Sequence, residues 1–320
     1  MTKILFSAPY MLSSLDRFRP VLERYGLDLI TPEVKERLEE SDLLEYAGQF
    51  DGAISGDDCF TARVLAACVP RLKVISKWGT GIDSIDSASC ERLGVKLYRT
   101  PNAFTLPVAD SVMGYLLAFA RRLPWMDKAM KAGIWEKIPG RTLHECTLGV
   151  VGVGTIGKVV IRRAQAFGMK ILGNDIVDID HVFLAETGVE MTSLDDLLTR
   201  ADFVSLNCDL NPSSFHLINS RTLGLMHQNA ILINTARGPI VDEKVLVDAL
   251  KAGRIGGAAL DLFEIEPLPA KSPLRKMDNV MLAPHNANSS PAAWERVHWN
   301  TIKNLVEGLG LEFKGKDEVE

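Results

Sequence analysis

Short apolar runs alternate with amphipathic stretches along the whole chain, and the alternation falls into two sets. The first places strands at Lys3 to Ser7, Gly52 to Ser55, Leu72 to Lys77 and Val95 to Arg99, separated by helical stretches such as Phe18 to Tyr25 and Thr61 to Cys68. The second places them at Leu148 to Val153, Lys170 to Asp175, Phe203 to Asn207, Ile231 to Thr235, Gly257 to Phe263 and Val280 to Ala283. Strands regularly separated by helices predict parallel sheets covered on both faces, so the expected class is α/β with two doubly wound domains. A helical run from Val108 to Arg122 lies between the sets. A last helix, Pro291 to Leu309, carries Trp294, Val297, Ile302, Leu305 and Leu309 at roughly helical spacing.

The second set opens on Leu148-Gly149-Val150-Val151-Gly152-Val153-Gly154-Thr155-Ile156-Gly157, a strand-like run that leads through G-x-G-x-x-G into a helix. This context suits a dinucleotide pyrophosphate. Gly152 serves the tight turn, Gly154 the close approach of backbone N–H groups to phosphate, and Gly157 the packing of helix on strand. The helix start, at Thr155 and Ile156, adds partial positive charge. An acid that ends the next strand strengthens the reading. Asp175 lies 18 positions past Gly157, near the spacing of a ribose-binding carboxylate, and no neighbouring arginine offsets its charge. It selects NAD over NADP.

Composition narrows the class. The chain has 320 residues, 47% hydrophobic and 24% charged, which allows two cores of ordinary globular type. Lys plus Arg number 36 against 41 Asp plus Glu, a net charge of −5, which argues against a nucleic-acid partner. The cysteines (Cys59, Cys68, Cys90, Cys146 and Cys208) show no metal-ligand spacing and are expected to be buried and reduced, and no metal is expected. The N-terminus lacks a leader-like apolar region, and the longest apolar stretch, Tyr115 to Ala120, is too short to span a bilayer. A cytoplasmic location without membrane contact is the expectation. The sequence also stops soon after its last helix.

Hydride chemistry on a small polar substrate needs a cation for an oxygen, a proton donor or acceptor, and a group that orients it. Three candidates follow strands of the second set: Arg237 in Ala236-Arg237-Gly238-Pro239, Glu266 in Phe263-Glu264-Ile265-Glu266-Pro267, and His285 after Ala283-Pro284. Parallel sheets of this kind bind ligands at the carboxyl ends of their strands. Singly, each residue reads as an ordinary surface or structural side chain, and Glu264 rivals Glu266. The other histidines (His144, His181, His216, His227 and His298) have no such context and read as structural.

The segments Asn234-Thr235-Ala236-Arg237-Gly238-Pro239-Ile240-Val241-Asp242-Glu243, Leu260-Asp261-Leu262-Phe263-Glu264-Ile265-Glu266-Pro267 and Pro284-His285 together resemble the D-isomer specific 2-hydroxyacid dehydrogenase family. The intervals, 29 residues from Arg237 to Glu266 and 19 from Glu266 to His285, fit as well. Lys77-Trp78-Gly79-Thr80-Gly81-Ile82-Asp83 is similar to the loop of the phosphoglycerate dehydrogenases within that family.

The resemblance implies a flavodoxin-like substrate domain from residues 1–99 plus 287–320, around an inserted Rossmann NAD-binding domain from 100–286, with the active site in the cleft between them. It makes His285 the proton donor to the keto oxygen, Glu266 its orienting partner and Arg237 the holder of substrate carboxylate and carbonyl. Lys77, Gly79, Thr80 and Gly81 become further substrate contacts. Asn207, Thr235, Ala236 and Asp261 join the glycines and Asp175 as cofactor contacts, with Asp261 near the nicotinamide carboxamide. The implied activity is NAD-dependent hydride transfer between nicotinamide and C2 of a small D-2-hydroxy or 2-keto acid.

The substrate end departs from the pattern. Lys77 and Lys137 stand where the nearest relatives use arginines, and Gly56-Asp57-Asp58 brings two acids that repel phosphate. A polar, hydroxylated tail is expected, with a 3-phosphoglycerate-like substrate only if both lysines face it. The alternative reading is an NAD-sensing, dehydrogenase-like corepressor or binding protein. The segment Arg121 to Glu145, with Trp125, Met126, Met130, Ile134 and Trp135, offers an apolar arm for a homodimer, or else ordinary core packing.

Overall fold

The computed structural model describes residues 1–315, and in it the chain separates into two compact units. One comprises residues 1–104 with the segment from Ser290 onward, the other residues 105–289. The crossings fall a few residues later than the sequence places them. The helix Thr105–Ala120 opens the second unit, and Ser290, whose hydroxyl caps the helix Pro291–Gly308, opens the return.

The first unit is a five-stranded parallel sheet of β1 (Thr2–Phe6), β2 (Leu27–Ile30), β3 (Gly52–Ser55), β4 (Val74–Lys77) and β5 (Lys96–Tyr98), in the order β2-β1-β3-β4-β5. That is the flavodoxin-like order. Every residue of β3 and β4 is buried, as central strands covered on both faces must be. β2 escaped the sequence pattern because it is a four-residue edge strand with Asp28 turned to solvent. The helix Pro291–Gly308 packs on β3, β4 and β5 and so belongs to this unit. Its face of Val297, Ile302 and Leu305 is fully buried, each contributing roughly 2 kcal/mol. Ser76 Oγ donates to the Thr301 carbonyl at 2.8 Å and Lys96 Nζ to the Gly308 carbonyl at 3.0 Å. Trp78 Nε1 donates to His298 Nδ1 at 2.9 Å.

The second unit is a seven-stranded parallel sheet of β6 (Thr147–Val151), β7 (Lys170–Asn174), β8 (Glu190–Met191), β9 (Phe203–Leu206), β10 (Ile231–Asn234), β11 (Gly257–Leu260) and β12 (Val280–Leu282). The order is β12-β11-β10-β9-β6-β7-β8, a Rossmann arrangement with one strand added at the β12 edge. β8 is two residues long and left no periodic signal. Because all pairings are parallel, every candidate residue from Gly152 to His285 falls at the carboxyl edge of this sheet, and strand order reverses between β6 and β9. Among the described residues no helix is long and apolar enough to cross a membrane. All five cysteines are free thiols, but Cys59 and Cys208 are only partly buried, against expectation.

His298 is 5% exposed, and burial pushes its imidazole down to about 4; Arg17 adds to the effect and Glu295 opposes it. The folded state therefore holds it neutral and accepting from Trp78, while an unfolded chain takes a proton below its ordinary range near 6.5. Stability is lost as pH falls from about 6.5 towards 4, by on the order of 2–3 kcal/mol from this residue. His298→Asn keeps an acceptor without a titrating group. Thermal melts of both proteins near pH 7 and near pH 5 should show wild type losing more stability than the variant on acidification; parallel losses would refute the assignment.

Candidate active site

The turn after β6 separates glycines that serve the fold from one that leaves room for a ligand. Gly152 has φ +90°, and a Cβ there would lie 2.5 Å from the Cys208 backbone nitrogen. At Gly157 a Cβ would meet the Gly152 carbonyl at 2.1 Å, which is how the helix Thr155–Ala166 seats on the strand. Gly154 differs: a Cβ there meets nothing within 4 Å. It is the N-cap of that helix and offers no side chain to the first-turn N–H groups, so they are presented for an anion.

Asp175, one residue past β7, accepts from Val153 N at 2.7 Å through Oδ2 and from Val177 N at 3.2 Å through Oδ1. Its carboxylate is thereby fixed against the glycine turn. Two orphaned polar atoms complete the cofactor edge. Asn207 spends its amide N–H on Ser205, leaving Oδ1 buried and unpartnered, and Thr235 Oγ1 is likewise buried without a partner. Unsatisfied buried groups cost about 1–3 kcal/mol each, so two of them at adjacent strand ends fit a site that a dinucleotide completes.

Three successive strands carry the chemical candidates. Asn234 at the end of β10 is 1% exposed; its amide donates to the Arg237 carbonyl at 2.8 Å and its oxygen accepts from Ala236 N at 3.1 Å. That ties down the turn bearing Arg237. After β11, Glu266 accepts from Phe263 N at 2.9 Å through Oε1 and faces His285 Nδ1 at 3.2 Å through Oε2. After β12, His285 has φ +51°, a left-handed backbone that costs a non-glycine residue roughly 1–2 kcal/mol.

Asp261 holds that strained backbone in place. Its carbonyl accepts from His285 N at 2.8 Å, and its carboxylate accepts from Asn286 N at 2.8 Å and Ala287 N at 2.9 Å. Hydrogen bonds to a charged group contribute about 1.5–3 kcal/mol each, enough to outweigh the backbone strain. Burial still pushes the Asp261 carboxyl up. Burial, helped by Asp261, also pushes the Tyr115 hydroxyl up to about 12. The residue expected at the nicotinamide carboxamide thus also fastens the His285 loop, a role its sequence position did not disclose.

Sequence reading also missed a second pair. Glu264 Oε1 faces His216 Nε2 at 2.6 Å, while Glu266 faces His285, so the two acids of one loop are divided between two histidines. No sequence signal marked His216.

In the first unit, the Lys77 ammonium is buried, donates to the Trp78 carbonyl at 2.9 Å and pairs with Asp57 at 3.1 Å. Asp58 is wholly buried and accepts from Ser7, Ser55 and Leu38 N. The loop beyond is set by Gly79, at φ +114°, whose carbonyl accepts from Thr100 N, and by Thr80 Oγ1, which donates to the Thr100 carbonyl. Gly81 follows directly. Lys137, in the second unit, is exposed. Within the arm, Trp125 packs on Phe119 and donates to the Asp278 carbonyl, as core packing requires. Met130, Ile134 and Trp135 instead stand 50, 48 and 86% exposed.

Residues 113–287 match the family model described as D-isomer specific 2-hydroxyacid dehydrogenase, NAD binding domain. A glyoxylate reductase of Thermofilum pendens is 42% identical over 262 residues, 80% of this chain and 77% of that one. A D-3-phosphoglycerate dehydrogenase of Methanocaldococcus jannaschii is 37% identical, over 92% of this chain and 55% of that protein. Among solved structures, a D-lactate dehydrogenase from Aquifex aeolicus, complexed with NAD and lactic acid, superposes with a TM-score of 0.84 at 27% identity, over 98% of this chain and the whole of that one.

The glycines give a paired prediction. Gly152→Ala forces a side chain against Cys208 backbone at positive φ and should cost about 3 kcal/mol or more, seen as a lowered melting temperature. Gly154→Ala should melt like wild type yet lose NAD affinity at least about tenfold by calorimetric titration. Normal NAD binding by Gly154→Ala would remove the pyrophosphate from this turn.

Proposed function

This chain belongs to the D-isomer specific 2-hydroxyacid dehydrogenase family, and from that premise we propose that it reduces a short, unphosphorylated 2-keto acid of the glyoxylate or hydroxypyruvate type to the D-2-hydroxy acid, with NADH. The observation that carries this reading is the His285–Glu266 contact at the carboxyl edge of the nucleotide-binding sheet. A carboxylate beside an imidazole favours the protonated ring that reduction of a keto group requires. Nδ1 is turned to Glu266, so proton transfer to the keto oxygen is assigned to Nε2. Arg237, on its braced turn, takes the substrate carboxylate and the carbonyl oxygen as that oxygen gains charge. When bound, the nicotinamide supplies the hydride; Gly152, Gly154, Thr155, Ile156, Gly157, Asp175, Asn207, Thr235 and Ala236 hold the dinucleotide.

Choice of an unphosphorylated acid rests on Lys77. Its charge is already matched by Asp57, and a phosphate would have to displace that carboxylate. Lys77, Gly79, Thr80 and Gly81 are the first unit's proposed contribution to substrate selection. The exposed Met130, Ile134 and Trp135 favour the arm as the contact of a homodimer.

A panel of 2-keto acids assayed against NADH tests the reading. Glyoxylate or hydroxypyruvate should be turned over, the phosphorylated analogue at least about tenfold less well in kcat/KM, and His285→Ala should lower kcat about 10²–10⁴-fold. NADH should be preferred to NADPH by about tenfold or more, roughly 1.4 kcal/mol; equal use would contradict the role of Asp175. Retained NADH binding with no turnover of any acid would shift the reading to the nucleotide-sensing alternative. For the dimer, light scattering should give the mass of two chains for wild type and of one for Trp135→Ser; a monomeric wild type would end that proposal.

A further inference from the structure

We propose that His216 and Glu264 are a positioning pair, which locks the loop bearing Glu266 against the turn bearing Arg237 and thereby sets the Glu266–His285 contact. The proposal rests on the catalytic assignment of those residues given above. Three backbone segments meet here. The segment 216–218 is laddered to the segment 239–242: His216 N donates to the Pro239 carbonyl at 2.9 Å, Ile218 N to the Ile240 carbonyl at 3.0 Å and Asp242 N to the Ile218 carbonyl at 2.8 Å. The 237–239 turn in turn lies on the Glu266 loop, for a Cβ at Gly238 would fall 1.9 Å from the Phe263 carbonyl oxygen. The His216 side chain closes the triangle from the third side, with Nε2 at 2.6 Å from Glu264 Oε1.

Local geometry restrains this histidine at both ends. Its backbone is left-handed, φ +48°, a conformation that a non-glycine residue keeps only where its surroundings impose it. Its ring lies on that of Phe215, centroids 4.0 Å apart and planes 17° from parallel. The charged groups around it are Glu264, Asp242 at 4.0 Å from Nδ1, and Glu243, whose Oε2 accepts from Glu264 N at 3.3 Å. Burial, helped by Glu264, pushes the Glu243 carboxyl up.

A partly exposed histidine–carboxylate contact of this kind contributes at most about 1 kcal/mol to stability, so stability is not its main effect. Position is. A displacement of about 1 Å in a group that orients the reacting one costs up to about 10²-fold in rate.

His216→Asn separates these effects, since asparagine tolerates the left-handed backbone yet is too short to reach Glu264. His216→Gln restores a donor of sufficient length. With hydroxypyruvate and NADH, His216→Asn should lower kcat about tenfold or more, leave the KM for NADH and the Tm nearly unchanged, and move the alkaline limb of kcat/KM to lower pH. His216→Gln should recover most of the rate, and Glu264→Ala should repeat the loss if His216→Asn folds poorly. Without substrate, the His285 ring signals in NMR should titrate at lower pH in His216→Asn than in wild type, by about half a unit or more, because a displaced Glu266 stabilises the imidazolium less. Unchanged kcat and unchanged His285 titration, or a lowered Tm with the titration unmoved, would overturn the proposal. If wild type turns over no keto acid, the functional reading fails while the NMR comparison still decides this one.

Discussion

One buried carboxylate holds the active edge of the second unit together. Asp261 leaves β11 with its carbonyl on His285 N and its two oxygens on Asn286 N and Ala287 N, so the histidine is presented from a left-handed backbone that would otherwise relax. In an asparagine at this place, the NH2 would face one of the two N–H groups that Oδ1 and Oδ2 now accept separately. The charge is costly to bury, which is why its carboxyl is pushed up, but two backbone donors and the neighbouring His285 offset that cost. Ser111 Oγ, from the helix Thr105–Ala120, adds a hydrogen bond to the Ala287 carbonyl at 3.3 Å from the other side of the loop. Rigid placement of the imidazole is therefore a property of strand ends and one helix, rather than of the loop itself.

The nucleotide edge follows a complementary rule, in which what is left unsatisfied matters as much as what is paired. Gly152 and Gly157 are filled by their own backbone neighbours, whereas Gly154 faces open space. Likewise Asn207 and Thr235 each keep one buried oxygen without a partner in a chain whose other strand-end polar groups, Asn234 and Asp261 among them, are satisfied. Two such atoms at neighbouring strand ends, β9 and β10, suit polar groups that come from outside the chain.

The sequence disclosed the architecture wherever a strand was buried on both faces. β6, β9 and β10 are read to within two residues and β11 three residues too long, whereas β2, an edge strand with Asp28 exposed, and β8, of two residues, carried no apolar run to detect. Spacing brought Arg237, Glu266 and His285 to successive strand ends, because strand order fixes where a loop emerges. What spacing could not show is the partner of a side chain. Glu264 and Glu266 are separable only through the histidines they face, and His216 is brought near Glu264 by a backbone ladder between segments 216–218 and 239–242 that leaves no mark in composition. The arm divided in the same way: Trp125 packs inward on Phe119 while Trp135 projects outward, although both are tryptophans of one segment.

Lys77 shows why a cation at a strand end is not by itself an anion site. It is 4% exposed, and an isolated ammonium at that depth would cost several kcal/mol, so the fold must supply its counter-charge before any ligand arrives. It does so through Asp57 at 3.1 Å and the Trp78 carbonyl. Asp58, one residue on, is buried more deeply still, yet its oxygens are filled by Ser7, Ser55 and the Leu38 N–H. The two adjacent acids thus do different work: one balances a lysine, the other staples the ends of β1 and β3. A dianion would meet a lysine already neutralised and a second negative charge beside it, whereas a neutral hydroxyl can share the hydrogen bonds of such a pair without separating it. The proposed selectivity against phosphate rests on the charge balance that lets Lys77 be buried at all.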